Sequence, residues 1–165
     1  GAFSFAGSAL PKYSFGLNNA FSYKNLSFSV FLNGSTGFYI YNNTANALFT
    51  KGSLKNGRNV VLDEASSPES ALNAPEVSTR FLEKGDFLRI SNMNLAYRFP
   101  MTGSKYFKGM SLNLTGQNLA LFTNYTGVDP EVNTNKARDG VPSLGIDYTS
   151  YPTARMFSLG ATFDF

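Results

Sequence analysis

From Lys12 to Lys24 the chain alternates. Tyr13, Phe15, Leu17, Phe21 and Tyr23 share one parity, broken by Asn19, and Ser14, Gly16, Asn18, Ala20 and Ser22 share the other. A period of two marks a strand whose faces meet different surroundings. After Lys24-Asn25 the pattern resumes, with Leu26, Phe28, Val30 and Leu32 against Ser27, Ser29, Asn33 and Ser35, and Phe31 as the exception. The spacing predicts strands over residues 12–24 and 26–38 joined by a tight turn. A third strand is expected over 86–99, where the apolar parity shifts from Leu88 and Ile90 to Met93, Leu95, Tyr97 and Phe99. One inserted residue near Ser91-Asn92, a β-bulge, accounts for that shift. Met110, Leu112 and Leu114 against Ser111, Asn113, Thr115 and Gln117 predict a strand over 110–122. Phe157, Leu159, Ala161, Phe163 and Phe165 against Ser158, Gly160, Thr162 and Asp164 predict a last one over 152–165.

Residues 39–85 and 123–150 lose the alternation and gather turn formers, so they are expected to be long loops, the first with a small hairpin at Asn56-Gly57. The alternating segments supply about 9 to 12 residues each, more than the usual 5 or 6 of a globular strand and enough to cross a bilayer at a tilt. Short and long connections alternate, as they do in bacterial outer-membrane barrels, which places Lys24, Pro100 and Phe165 on the periplasmic side and both long loops outside. Tyr13, Phe38, Tyr39, Tyr125 and Tyr151 then form an outer aromatic girdle, with Tyr23, Tyr97, Phe99, Phe163 and Phe165 as the inner one. The expected fold class is all-β, an antiparallel transmembrane β-barrel segment.

Composition narrows the chemistry. Phe 16, Tyr 9 and Gly 15 stand beside a charged fraction of 15%, a mixture suited to strands between lipid and water. Lys+Arg 14 against Asp+Glu 11 gives +3, scattered along the chain, which lends no support to nucleic-acid binding. With Cys 0 and His 0, a disulfide framework, thiolate metal sites and histidine base catalysis are excluded, and no serine has a partner to activate it. The expectation is that the chain is not an enzyme and carries no cofactor. No apolar run reaches the roughly 18 residues of a membrane helix. Gly1-Ala2-Phe3-Ser4-Phe5 lacks the basic start and cleavage site of a signal peptide, so the chain is expected to be a mature piece or a fragment.

Three clusters invite a site. Asp129, Glu131, Asp139 and Asp147 share one loop and offer oxygen ligands, but their spacing matches no calcium loop, and they are taken as solvated acids. Lys51, Lys55 and Arg58 form a small basic cluster, taken as solvated surface. Five Asn-x-Ser/Thr patterns, among them Asn113-Leu114-Thr115, follow from the abundance of those residues and imply no glycosylation.

Several stretches resemble, in order and spacing, the C-terminal end of the SusC/RagA family of TonB-linked outer-membrane transporters of Bacteroidetes-type bacteria. They are Pro11-Lys12-Tyr13-Ser14-Phe15-Gly16-Leu17-Asn18-Asn19 with Tyr23-Lys24-Asn25-Leu26-Ser27, Gly85-Asp86-Phe87-Leu88-Arg89-Ile90, Gly116-Gln117-Asn118-Leu119, Tyr125-Thr126-Gly127-Val128-Asp129-Pro130-Glu131, and Tyr151 through Phe165. The resemblance implies the last five strands of a barrel of about 22, with the plug domain absent from this chain. It implies uptake of oligosaccharides or peptides, a SusD-like lipoprotein partner, and energy delivered by TonB through the missing part. The alternate residues Phe157, Leu159, Ala161, Phe163 and Phe165 look like a C-terminal signal for the outer-membrane assembly machinery, and Tyr125, Gly127, Asp129, Pro130 and Glu131 like an ordered extracellular loop. Five strands cannot close a barrel, which starts at about eight, so the rest of the wall is expected elsewhere. The alternative is a secreted β-sandwich carbohydrate-binding module whose aromatics stack on sugars.

Overall fold

Strands form wherever the alternation is sustained. The computed structural model describes residues 6–48, 78–101, 103, 106, 108–132 and 144–165. In chain order these contain β1 (Tyr13–Tyr23), β2 (Leu26–Thr36), β3 (Tyr39–Asn42), helix α1 (Asn43–Leu48) and a 3-10 turn at Thr79–Phe81. Then follow β4 (Leu82–Lys84), β5 (Phe87–Pro100), β6 (Gly109–Thr123), β7 (Ile146–Asp147) and β8 (Met156–Asp164). Two sheets result, one of five strands in the order β1-β2-β5-β6-β8 and one of three in the order β4-β3-β7. They belong to two separate compact units: a sheet unit of residues 13–35, 87–123 and 153–165, and a loop unit drawn from 1–12, 36–86 and 124–152.

In the sheet unit the pairings of β2 with β5, β5 with β6 and β6 with β8 are all antiparallel. β8 begins at Met156 rather than at Pro152, whose missing N–H cannot join a ladder. The parity shift in β5 is a bulge at Ser91: Phe31 faces Asn92 while Leu32 faces Ile90, leaving Ser91 as the extra residue against β2. A second irregularity on β6 compensates for it, since Ile90 faces Ala120 while Asn92 faces Gln117. The extra residue there lies in Asn118-Leu119, and Asn118 takes φ 52, a left-handed conformation that asparagine tolerates better than most residues. Its side-chain amide donates to the Ala154 carbonyl at 3.1 Å, just ahead of β8. A side chain at Gly116 would collide with Leu119 at 2.7 Å. The Gly116-Gln117-Asn118-Leu119 stretch is therefore the sequence of a bulge.

The register sorts the two faces into rows. On one face lie Leu26, Tyr97, Leu112 and Ala161, then Phe28, Leu95, Leu114 and Leu159, then Val30, Met93, Gly116 and Phe157. On the other lie Ser27, Ala96, Asn113 and Gly160, then Ser29, Asn94, Thr115 and Ser158. Leu95, Leu114 and Leu159 are 40%, 47% and 76% exposed. A β-sandwich packs such rows against a second sheet, so this exposure overturns the sandwich alternative. Burying each leucine would be worth about 1.5–3 kcal/mol, which leaves the apolar face in need of a nonaqueous neighbour.

The loop unit has its own core. Ile40 is fully buried, with Phe38, Tyr125 and Val132 buried as well. Phe38 and Tyr125, expected in an outer girdle, are thus core residues, and Phe38 lies so close to Gly85 that a Cβ there would meet its ring at 2.3 Å. The stretch expected to be an irregular loop over 39–85 contains β3, α1, the 3-10 turn and β4 among its described residues. The Asn56-Gly57 hairpin and the Lys51, Lys55 and Arg58 cluster lie outside the described residues.

Candidate functional site

In the loop unit, β3 pairs antiparallel with β4 (Tyr39 with Lys84, Tyr41 with Leu82) and parallel with β7 (Tyr41 with Ile146, Asn42 with Asp147). These three short strands bring residues far apart in sequence to one place. The Glu83 carboxylate accepts the Thr126 backbone N–H at 2.8 Å through one oxygen. Through the other it accepts the Thr126 hydroxyl at 2.7 Å and the Asn42 amide at 3.1 Å. Bonds to an ionised acceptor are about twice as strong as neutral ones, so Glu83 is a strong anchor for Thr126. Asn42 also accepts the Ala45 N–H at 2.9 Å and so caps the start of α1. Thr44 accepts the Thr149 N–H at 2.8 Å and donates to Asp147 at 3.4 Å.

Tyr125 donates its hydroxyl to Asp147 Oδ2 at 2.6 Å, in the interior of the unit. Burial raises the phenol well above its ordinary range, and the Asp147 hydrogen bond and the charges of Asp147 and Glu83 raise it further. A phenol raised in the folded state keeps its proton, so its bond is fully present below the unfolded value of about 10 and is lost only at higher pH. Tyr125 is one of 9 tyrosines in the chain. In an ultraviolet titration of the folded protein, Tyr125→Phe is expected to leave the absorbance change near pH 10 unaltered. A smaller change in the variant would mean that Tyr125 titrates normally.

The loop predicted from Tyr125, Gly127, Asp129, Pro130 and Glu131 is held by its own chemistry. A Cβ on Gly127 would lie 2.3 Å from the Tyr125 ring, so the ring folds back over a position that only glycine leaves open. Asp129 Oδ1 accepts the Glu131 N–H at 2.9 Å, an Asx turn, and Pro130 is fully buried. Asp129 and Asp147 are 6% and 3% exposed, which corrects the expectation that these acids are solvated. Asp139 lies outside the described residues. Among the described residues no three metal-ligating side chains come together. Sequence inspection missed Glu83, Asn42 and Thr44 as members of this cluster, since nothing near them in the chain marks their distant partners. Beside the cluster is a cleft of about 550 Å³ whose lining includes Asn42, Thr44, Thr126, Asp147, Thr149 and Ser150. The Asn42, Thr44 and Thr126 side chains and the Asp147 carboxylate are engaged in the bonds above.

The other predicted residues lie on or just beyond β8. Phe157, Leu159, Ala161 and Phe163 occupy its apolar face, aligned with Gly116, Leu114, Leu112 and Met110, and Phe165 follows the strand's last residue. Phe157 and Leu159 are 69% and 76% exposed. On the opposite face Asp164 meets Arg98 at 3.5 Å, an exposed pair of small energetic weight. Between Arg98 and the buried Arg89 the polar rows carry no formal charge.

No protein-family model matches the chain. Over 96% of its length it is 30% identical to TonB-dependent receptor P3 of Formosa agariphila, of which it spans 17%. Over 91% of its length it is 30% identical to TonB-dependent receptor SusC of Bacteroides thetaiotaomicron, of which it spans 15%. Among solved structures it is similar to the RagAB peptide importer in the 'open-open' state, with a TM-score of 0.71 at 22% identity over 94% of this chain and 17% of that one.

Proposed function

We propose that this chain, related over nearly its whole length to TonB-dependent receptors of the SusC kind, forms part of the wall of an outer-membrane nutrient importer. The observation that carries the proposal is the two-faced sheet, with apolar rows such as Phe28, Leu95, Leu114 and Leu159 on one side and Ser29, Asn94, Thr115 and Ser158 on the other. Lipid satisfies the first face and a water-filled or plugged lumen the second. Both sheet ends, β1 and β8, then pair with further barrel strands, because an open edge is not tolerated in hydrocarbon. On this reading the Lys24-Asn25 turn, Pro100 and Phe165 face the periplasm.

Transport on this reading is passive for the chain itself: it supplies a rigid wall, while a plug gated by TonB does the work. Oligosaccharides or peptides are the proposed cargo, with a SusD-like lipoprotein as partner, by analogy with the relatives. The chemistry of the loop unit, with its hydroxyls and carboxylates held in internal bonds, fits scaffolding rather than catalysis. The test is uptake of labelled oligosaccharides and peptides by cells carrying the intact protein, with and without TonB. One cargo class accumulating only with TonB supports the proposal. Recovery of the protein as a detergent-free soluble monomer refutes it.

A further inference from the structure

Residues 36–48 and 78–86 are fastened at several points to residues 124–132 and 144–152, and we infer that these two stretches open and close as one cooperative body rather than as two independent loops. Glu83 of the first holds both the N–H and the hydroxyl of Thr126 in the second. Thr44 of the first accepts the Thr149 N–H and donates to Asp147 in the second. The Tyr41 N–H donates to the Gly145 carbonyl at 2.7 Å, inside the parallel pairing of β3 with β7. Tyr125 and Asp147, both in the second stretch, are tied to each other and thereby to these links.

A two-residue β7 has no stability of its own and exists only while β3 supplies its partner. Similarly, the 125–126 segment forms no ladder and is held by a carboxylate from β4. Withdrawing either stretch alone would break the Glu83 bonds to Thr126, the Thr44 bonds to Thr149 and Asp147 and the Tyr41 bond to Gly145 together, a cost that favours moving both or neither. The inference depends on these bonds and not on the transported substrate, so it can fail while the transport proposal stands.

Backbone hydrogen exchange on the full protein in detergent tests it. Glu83→Ala removes an acceptor for Thr126 and Asn42 without touching Tyr41, Thr44 or Gly145. It is expected to speed exchange about tenfold or more in both 39–48 and 124–132, the lower end of what a hydrogen bond to a charged group supplies, with β5 and β6 unchanged as reference. Should Glu83→Ala fail to assemble, Tyr125→Phe, which deletes one oxygen, carries the same comparison. Acceleration confined to one of the two stretches, or shared equally by β5 and β6, overturns the inference.

Discussion

Replacing Leu114 by arginine is expected to abolish assembly of the protein in the outer membrane, while lysine at the adjacent Thr115 is expected to be tolerated. Leu114 is flanked by Leu95 and Leu159 in the middle of the apolar rows, and Thr115 by Asn94 and Ser158 on the opposite face. A lipid-facing arginine near the bilayer midplane costs about 2–4 kcal/mol, a large share of a typical stability margin of about 5–15 kcal/mol, whereas a cation in an aqueous lumen keeps its hydration. Lys at Thr115 would also introduce a charge into rows that have none between Arg89 and Arg98, so any effect there should appear as altered passage and not as lost protein. Membrane fractionation with protease protection reads the first effect and uptake the second. Equal tolerance of both substitutions would mean that the apolar face does not meet lipid.

Asp147→Ala is expected to loosen the loop unit by roughly 2–3 kcal/mol, because it leaves the buried Tyr125 hydroxyl without its acceptor and deprives Thr44 of one partner. Asp147→Asn keeps a carbonyl oxygen in place and should recover part of the loss. The double variant Tyr125→Phe with Asp147→Ala removes donor and acceptor together, and its stability should lie closer to the parent than that of Asp147→Ala alone. Rates of limited proteolysis within 124–132 measure the series, provided cleavage is slow compared with reclosing. Strict additivity of the two single effects would show that the hydrogen bond contributes nothing.

The long strands were legible because each presents its own evidence: nine or more positions of alternation leave little doubt about period, and a change of parity at Ser91 announces a bulge within one strand. The compensating irregularity at Asn118 leaves a fainter mark: the apolar parity passes from Met110, Leu112 and Leu114 to Leu119 and Leu121, but Ala120 and Phe122, apolar on the original parity, obscure it. β3, β4 and β7, of four, three and two residues, are too short for any period to register. Their stability comes from one another. Asp147 failed for a related reason: an acid in a stretch rich in turn formers looks solvated until Tyr125 and Thr44 are known to reach it. The loop motif from Tyr125 to Glu131 was visible as a motif, but its anchor, Glu83, lies 43 positions from Thr126 and bears no local signature.

The pairing of Tyr39 with Lys84 has a consequence for the order in which the chain folds. Ser35 and Phe87 are ladder partners, but roughly 50 residues intervene, and closing a loop of that length costs on the order of 3–4 kcal/mol of chain entropy before any bond rewards it. Hairpins β1-β2 and β5-β6 have no such barrier. When β3 and β4 meet first, Thr36 and Phe87 become near neighbours along a much shorter effective path, and β2 and β5 can zip from that end with most of the entropic cost already met. The small sheet then acts as a nucleus for the large one, so substitutions that weaken β3 or β4 should slow the joining of the two hairpins more than they accelerate their separation.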